Sequence, residues 1–529
     1  MKNRIFLFAM TLCMGSIASA QLKGAGNLEW AIENFLWNDF GSIHKQSLET
    51  HTMPSKVALT SLVLLGREKN WIPQDSTRYQ DVLKRFGFQQ PRSVEGNSKI
   101  SVDRFEDLPM GLVERKVSLG FPGISVTGLN VSCAACHGGH SYDSKGRPSD
   151  HAWPGLPNTS LNLEAYTQSL TEGLNLYRRD LDGSHQLMLK IFPKLSKTER
   201  FTLKNFVYPI IEERLEKIAI QGGRALPFLN GSPGLTNGVS ALKMMAGIGN
   251  SDRQEDESGF TSIPPLGDRF FRSSLLYDGS YAPTLGKNRF MEKNGWSQAD
   301  VKNLSQIVAL FTIPSMGQPS SRALMQTALA EQILRPLISN YQAPVFPGDI
   351  DAGKSLRGEA IYQQNCAQCH GTYSSEGGRP RLVKFPNRLS PQSEMGTDPK
   401  RWQAITPEIE KYMNSNPTGK VVRVKNTGGY VAPLLNSLWA TAPYLHNGSV
   451  PSLWALMNPT ERPRQFWVGG HHLDLTVVGI SHPAGSRPES TPVLYETTRP
   501  GQSNQGHEFP FDRLTSDEKW DLIEYLKLL

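Results

Sequence analysis

The feature that most constrains this chain is a C-x-x-C-H motif that occurs twice. VSCAACHGGH (131–140) holds Cys133, Cys136 and His137, and NCAQCHG (365–371) holds Cys366, Cys369 and His370. The chain has five cysteines, and the remaining one is Cys13. Two cysteines one helical turn apart can each form a thioether with a haem vinyl group, and the adjacent histidine can then ligate the iron. The pattern predicts two covalently bound haem c groups.

Other kinds of site also use paired cysteines, but they explain less of the pattern. A zinc site needs four ligands, which two C-x-x-C pairs could supply, yet it gives no role to the histidine that follows each pair. A redox-active dithiol of the thioredoxin type has no need of that histidine either. Structural disulfides would leave the duplication unexplained.

The first twenty residues predict a signal peptide. MKNRIFLFAMTLCMGSIASA begins with Lys2 and Arg4, continues with an apolar run and ends in Ala18, Ser19 and Ala20, a typical cleavage signal. The run is too short to span a bilayer comfortably, and no other stretch is apolar enough, so we expect no membrane span after cleavage. Export suits covalent haem attachment and predicts a periplasmic or secreted bacterial protein.

The net charge gives no reason to expect a nucleic acid partner. The formal charge is +7, and loss of Lys2 and Arg4 with the signal peptide would leave +5. The propionates of two haems would cancel most of this excess, and the basic residues are scattered rather than clustered. The expected partner is an electron-donor protein, such as a small cytochrome c or copper protein, or an apolar substrate.

The apolar spacing predicts a mainly α fold. Helical periodicity runs through 161–181, 196–220 and 321–341, with Gly/Pro-rich loops between these segments. Because the haem motif is duplicated, we expect two cytochrome c-like haem domains with large loop-rich insertions and few short strands. The predicted boundaries are a signal peptide at 1–20, an N-terminal extension of unknown role at 21–105, an N-terminal haem domain with an insertion at 106–345 and a C-terminal haem domain at 346–529.

The second motif lies in a frame that a cytochrome c domain requires. Tyr362 stands one helical turn before Cys366, and the chain closes with LTSDEKWDLIEYLKLL. Thr515 and Glu518 predict a capping box at the start of this closing helix. An apolar stripe at helical spacing follows, at Leu522, Tyr525, Leu526 and Leu529.

Each iron needs either a second protein ligand or an open position. Histidines downstream of the second motif that could ligate are His446, the pair His471 and His472, and His507. Residue type alone leaves the choice among them open. Irons with two strong ligands only transfer electrons, whereas an open position can bind peroxide or dioxygen.

The segment TAPYLHNGSVPSL (441–453) resembles the signature of di-haem cytochrome c peroxidases and their methylamine-utilisation-type relatives. With the two C-x-x-C-H motifs in this order, the resemblance covers residues 105–529 in its landmarks. The wide separation of the motifs, together with GISVTGLNVSCAACHGG, PTERPRQFWVG and SNQGHEF, is more similar to the rubber-oxygenase-like branch.

The resemblance implies roles for several residues around the C-terminal haem. It implies His507, just before the closing helix, as the second iron ligand, with His446 as the runner-up and Met457 behind it. It also implies an interdomain calcium ion bound through Thr441 and Pro443, whose carbonyl oxygens are hard ligands of the kind that calcium prefers. Trp439 beside the signature is a candidate electron relay between the haems, although core packing explains it equally well.

For the haem of His137, the resemblance implies a weak or vacant distal position at which the chemistry occurs. No residue above this iron is identified by the sequence. His140 is too close to the motif to reach the opposite face, whereas His151 and His185 could reach it.

These features predict a di-haem c oxidoreductase of the cytochrome c peroxidase kind. It would activate hydrogen peroxide or dioxygen at the N-terminal haem and use the C-terminal haem as its electron-transfer centre. The alternative is a rubber-oxygenase-like dioxygenase that cleaves an apolar substrate. A pure di-haem electron-transfer protein is the second alternative, and a haem-based sensor ranks with it.

Replacing both cysteines of one motif is expected to remove one haem and spare the other. Cys366→Ala with Cys369→Ala, and Cys133→Ala with Cys136→Ala, would each halve the haem content, because the thioethers are the covalent links. Pyridine haemochrome absorbance and intact mass measure that content. Full haem content in either double variant would contradict the assignment.

Overall fold

The computed structural model describes residues 27–529 apart from 121, 123, 221–222, 225, 227, 246–247, 249–258, 285–288, 318–319, 376–377, 416 and 482–491. The predicted signal peptide at 1–20 lies outside the described residues. Across the described part the chain is mainly α, with loop-rich segments and few short strands, so the predicted fold class is confirmed.

Eleven of the described helices have eight or more residues. They are α1 (Leu28–Trp37), α2 (Ser55–Glu68), α3 (Leu163–Arg179), α4 (Leu181–Ile191), α5 (Tyr208–Ile220), α6 (Gly238–Met245), α7 (Gln298–Ile307), α8 (Thr327–Ser339), α9 (Ala352–Asn365), α10 (Pro407–Ser415) and α11 (Ser516–Leu526). The three segments predicted from periodicity contain α3, α5 and α8, and the predicted capping box of Thr515 and Glu518 begins α11.

The strands are short and form small sheets. In chain order they are β1 (Met53–Pro54), β2 (Ser93–Val94), β3 (Leu112–Ser118), β4 (Ser125–Val131), β5 (Gly138–Tyr142), β6 (Pro148–Pro154), β7 (Leu235–Thr236), β8 (Thr261–Ser262), β9 (Tyr281–Pro283), β10 (Thr372–Ser374), β11 (Arg381–Lys384), β12 (Leu389–Pro391), β13 (Val422–Val424), β14 (Gly429–Val431), β15 (Gln465–Val468), β16 (Leu473–Asp474), β17 (Gly479–Ile480) and β18 (Val493–Glu496). Two sheets have three strands, in the orders β1-β4-β3 and β2-β6-β5. The others are two-stranded, and one of them pairs β9 with β13 and so joins the two predicted haem domains.

Helices α9 and α11 cross closely beside the second motif. Gly358 permits the crossing, because a Cβ at this position would overlap the carbonyl oxygen of Asp521. The side chain of Asp521 accepts two hydrogen bonds of 2.7 Å from Arg357. The rings of Tyr362 and Tyr525 lie 5.2 Å apart in the same contact. The closing helix is therefore fixed to the helix that carries the motif.

Helix α1 performs the corresponding packing at the first motif. Its Ile32, Phe35 and Leu36 share a buried cluster with Ala134 of the motif and with Ile333 of α8. The beginning of the segment at 21–105, to which the sequence assigned no role, thus packs against the first C-x-x-C-H turn. A second layer, in which α2 packs on α3 and α4, covers the β3–β4 pair.

None of the helices in the described part of the chain combines the length and the hydropathy needed to cross a membrane.

The crossing of α9 and α11 yields a test with a control in the same helix. Gly358→Ala is expected to lower the free energy of unfolding by about 3 kcal/mol, because the new methyl group meets backbone that cannot move aside. The control is Gly353→Ala, because Gly353 lies on the exposed face of α9. It should leave stability equal or raise it by about 1 kcal/mol through helix propensity. Denaturant unfolding measures both, and equal effects of the two changes would contradict the crossing.

Candidate haem sites

The first motif begins directly after β4 and forms a helical turn, Cys133–His137. Gly111, with φ +95°, lets the turn approach, since a Cβ there would lie 2.6 Å from the Cα of Ala135. Nδ1 of His137 donates to the carbonyl oxygen of Pro264 at 3.1 Å. A neutral imidazole that donates from Nδ1 keeps its Nε2 unprotonated, so this hydrogen bond leaves His137 ready to ligate a metal.

The second motif repeats this geometry at the end of α9. Cys366 caps the helix, and Ala367–His370 form the next turn. Nδ1 of His370 donates to the carbonyl oxygen of Pro433 at 3.0 Å. The Tyr362 hydroxyl donates to the carbonyl oxygen of Gly371 at 2.8 Å and fixes the end of the motif. Both motif histidines are therefore oriented by a proline carbonyl from a distant part of the chain.

Desolvation keeps the motif cysteines neutral. It raises the pKa of Cys133, Cys136 and Cys366 to about 12, and the pKa of Cys369 rises for the same reason. A redox-active dithiol needs a lowered pKa instead. A zinc site would need the two pairs together, yet the described residues hold no cluster of three or more His, Cys, Asp or Glu side chains placed to bind a metal. The raised pKa values argue against a redox-active dithiol.

A cavity of about 530 Å³ opens beside the second motif. Cys366, Cys369 and His370 line one side of it. Much of the remaining lining is apolar and comes from Leu434, Leu435, Leu438, Leu453, Leu456, Met457, Phe511, Leu522 and Leu526. A flat apolar macrocycle with two thioether links and an axial imidazole needs such a lining, so the cavity fits one haem c group.

His507 faces His370 across this cavity. The centroids of the two rings lie 6.0 Å apart. Metal–imidazole bonds are about 2 Å long, so two rings that share one metal ion have centroids roughly 6 Å apart. Burial, followed by the nearby His370, lowers the pKa of His507 to about 4 and keeps its ring neutral. The structure thus brings together the motif histidine and the second ligand that the resemblance implies.

The runner-up ligand, His446, has other partners. Its ring stacks on Tyr430 with centroids 4.3 Å apart, and its Nε2 lies 3.2 Å from the Tyr430 hydroxyl. Burial, with a smaller contribution from Arg401, lowers the pKa of His446 to about 3. His446 lines the cavity as a neutral residue. Of the other two downstream candidates, His471 is buried and His472 is exposed.

The remaining residues implied at the C-terminal site also lie around the cavity. Met457 is fully buried and contributes to the lining, as do Thr441 and Pro443. The Thr441 hydroxyl donates to the carbonyl oxygen of Leu438 at 2.9 Å. The calcium ion implied at Thr441 and Pro443 stays a prediction.

Trp439 lies where the two predicted haem domains meet. It is buried, and its indole nitrogen donates to the carbonyl oxygen of Pro344 at 3.0 Å. Its ring is 6.4 Å from that of Tyr142, which ends the strand that follows the first motif. Tyr142 in turn lies 5.2 Å from the ring of His140. A series of aromatic rings therefore joins the first motif to Trp439.

The histidines considered for the first haem are occupied by other contacts. Nδ1 of His140 lies 2.9 Å from Nε2 of Gln89. His151 bonds Ser93 and Glu95 near the surface, and His185 lies beside Tyr208. No histidine ring in the described part of the chain faces His137 as His507 faces His370.

The structure also reveals an internal repeat that the sequence analysis missed. IPPLGDRFFRSSLLYDGSY (263–281) and APLLNSLWATAPYLHNGSV (432–450) align at a constant offset. The second residue of each is the proline that accepts from a motif histidine, and each continues through a 3₁₀ turn, Arg269–Phe271 or Leu438–Ala440. Each also has a leucine at positive φ, +68° at Leu276 and +65° at Leu445. The shared L-x-x-G-S ending is the sequence signal that could have shown this.

The two repeats exchange hydrogen bonds as related halves would. Ser262 N donates to the carbonyl oxygen of His446 at 2.7 Å, and Val431 N donates to that of Tyr277 at 2.7 Å. Ser262 corresponds to Val431 and Tyr277 to His446, so the exchange has approximate twofold symmetry. The rings of Tyr277 and His446 lie 6.5 Å apart at its centre. The two sites therefore meet through the loops that orient their motif histidines.

Two known protein families match the part of the chain that forms the second site. A family described as RoxA-like, cytochrome c-like, matches residues 429–468, which include the second repeat. A family described as cytochrome C oxidase, cbb3-type, subunit III, matches residues 354–424, which include the second motif. Residues 354–424 and 429–468 are thus similar to cytochrome c domains. A cytochrome c-like domain implies binding of haem c and a redox function.

Two curated relatives come from Sinorhizobium fredii (strain NBRC 101917 / NGR234). Uncharacterized protein y4iM is 29% identical over 315 residues, which cover 50% of this chain and 64% of the relative. Uncharacterized protein y4iJ is 28% identical over 242 residues, which cover 34% of this chain and 40% of the relative. The match thus spans less than two thirds of either relative, and neither printed name states an activity.

The burial of His446 predicts a pH dependence of stability. Its pKa is about 3 in the folded protein and about 6.5 in the unfolded chain, so below pH 6.5 the unfolded state binds a proton that the folded state does not. Stability is therefore lost as the pH falls from 6.5 towards 3, by about 2 kcal/mol at pH 5.

His446→Asn should remove this contribution. The difference in unfolding free energy between pH 7 and pH 5, measured with denaturant, should be about 2 kcal/mol smaller in the variant than in the native chain. The same pH difference in both proteins would show that His446 is accessible to protons in the folded state.

Proposed function

We propose that the chain is a periplasmic or secreted di-haem c oxidoreductase in which the C-terminal haem transfers electrons and the N-terminal haem activates hydrogen peroxide or dioxygen. The asymmetry of two otherwise matched sites carries this proposal. Both motif histidines donate to a proline carbonyl, but among the described residues a second imidazole faces His370 alone. Two imidazole ligands suit electron transfer, and one leaves a position for a small ligand.

At the C-terminal site, each nearby group has a role in holding the cofactor. Cys366 and Cys369 would link the haem covalently, and His370 and His507 would both ligate its iron. When bound, the haem supplies one-electron redox chemistry. The Pro433 carbonyl holds the His370 ring in one orientation. A site whose ligand is already oriented needs little rearrangement when its charge changes.

At the N-terminal site, Cys133, Cys136 and His137 would hold the second haem. Transfer between the sites would use the aromatic contact of Trp439 with Tyr142. This contact supports the relay role proposed for Trp439, because it spans from the strand after the first motif to the C-terminal domain. The calcium ion at Thr441 and Pro443 belongs to this proposal through the resemblance to di-haem peroxidases.

A second candidate is a rubber-oxygenase-like dioxygenase that cleaves an apolar substrate with dioxygen. The match of residues 429–468 to the RoxA-like family favours it. A peroxidase would instead take electrons from a small cytochrome c or copper protein. A pure electron-transfer protein would need a second strong ligand at His137 as well. The three functions therefore differ in how the first haem responds to small ligands.

Electron paramagnetic resonance and optical spectra of the purified protein separate these functions. One high-spin and one low-spin haem, with a spectral change on adding hydrogen peroxide, would support the peroxidase. A lasting change on adding dioxygen to the reduced protein, with turnover of an unsaturated polyisoprenoid, would support the oxygenase. Two low-spin haems that respond to neither would overturn both enzyme functions.

His507→Ala is expected to convert the C-terminal haem from low spin to high spin, because it removes one of the two imidazoles that would ligate the iron. Added imidazole should restore the low-spin signal. His472→Ala is the matched control, since this histidine is exposed and lies away from the ring pair. Conversion in His446→Ala, with none in His507→Ala, would make the runner-up the ligand.

A further inference from the structure

The loop that presents His507 has an unusual backbone. His507 has φ +52° and the preceding Gly506 has φ +82°. Gly506 cannot be replaced without moving the loop, because a Cβ would overlap the backbone of Met395 and Gly396. The His507 amide donates to the carbonyl oxygen of Met395 at 2.8 Å. A positive φ at a non-glycine residue is strained, and it persists only where surrounding contacts enforce it.

Arg462 supplies contacts from the other side of the loop. Its Nη1 donates to the carbonyl oxygens of Asn504, at 2.5 Å, and Gly506, at 2.9 Å. The side chain of Asn504 returns a hydrogen bond of 3.0 Å to the carbonyl oxygen of Pro463. The segment at 462–463 and the segment at 504–506 are therefore joined in both directions.

The same guanidinium also binds the wall of the cavity. Nε donates to the carbonyl oxygen of Ala455 at 3.2 Å, and Nη2 donates to that of Leu456 at 2.8 Å. Both belong to the Leu453–Met457 helix, which lines the cavity. Arg462 thus ties the loop that bears His507 to the wall beside the haem position.

An arginine is the side chain suited to this position. Its planar guanidinium offers five N–H donors in a fixed fork, so one side chain can bind four carbonyl oxygens at once. A lysine would keep the charge but has a single nitrogen on a flexible stem. Arg462 is half-buried, so these bonds are partly shielded from competing water.

We propose that Arg462 is the positioning residue that holds His507 in place to ligate the C-terminal iron. This inference rests on the proposed function, in which His370 and His507 share that iron. Arg462 acts through the backbone of Asn504 and Gly506 and touches neither the iron nor a substrate. Its positive charge beside the site also disfavours the oxidised, more positive haem, so it raises the reduction potential.

The test compares Arg462→Gln and Arg462→Lys with Arg464→Gln, each as the intact haem-loaded chain. Arg464 lies two positions away and is exposed, so its change alters the same charge without touching the loop. In both Arg462 variants, imidazole should bind the C-terminal haem about tenfold more tightly than in Arg464→Gln, because His507 competes less well for the iron. The low-spin signal should weaken and return on imidazole addition.

The lysine variant separates position from charge. It should show the same gain in imidazole affinity as the glutamine variant but a smaller fall in reduction potential. Covalent haem content and circular dichroism establish that each variant is folded. If Arg462→Gln and Arg464→Gln bind imidazole equally tightly, Arg462 does not position His507.

Different results would contradict the ligand role of His507 and the positioning role of Arg462. If His507→Ala leaves the C-terminal haem low spin, the ligand assignment is wrong, whatever the Arg462 variants show. If His507→Ala gives a high-spin haem while both Arg462 variants match Arg464→Gln, the ligand stands and the positioning role falls.

Discussion

Each motif histidine donates a hydrogen bond from Nδ1 to the carbonyl oxygen of a proline, Pro264 for His137 and Pro433 for His370. This bond selects one tautomer and one ring orientation, and it leaves Nε2 as the only ligating atom. The rest of each site is arranged around it. On one side lies the motif turn with its cysteines, and on the other lies the segment that begins at the proline. In the C-terminal site, the crossing of α9 and α11 also fixes the closing helix to the helix that carries the motif.

The internal repeat explains why the two sites are alike, and its substitutions explain where they differ. Tyr277 replaces His446 at the centre of the exchange. Arg272, at the position of Thr441, donates to the carbonyl oxygens of Leu276 and Ala432 and so joins the first repeat to the second. A buried arginine thus holds the halves together where the second repeat has a small hydroxyl. Differences in side chains at matched positions provide two unlike environments within one framework.

The helical periodicity and the capping box at Thr515 are local patterns, and the structure bears them out because local geometry decides them. The prediction that His507 is the second ligand came from the family resemblance, because no local rule distinguishes His507 from His446 as a ligand. The proline partners, the packing of α1 against the first motif and the role of Arg462 were beyond sequence reasoning, because each depends on contacts between residues far apart in the chain. The repeat was within reach, since Leu276 and Leu445 precede matching G-S endings, but its two copies share few other identities.

The exchanged hydrogen bonds between Ser262 and His446, and between Val431 and Tyr277, make the two sites neighbours through their backbones. In a di-haem protein of the proposed kind, a small shift of one loop would be felt by the other motif histidine. Thermodynamic linkage then requires reciprocity. If reduction of the C-terminal haem strengthens ligand binding at the N-terminal haem by some factor, binding of that ligand must favour reduction by the same factor. The order in which an electron and a small ligand arrive would therefore change the route but not the final free energy.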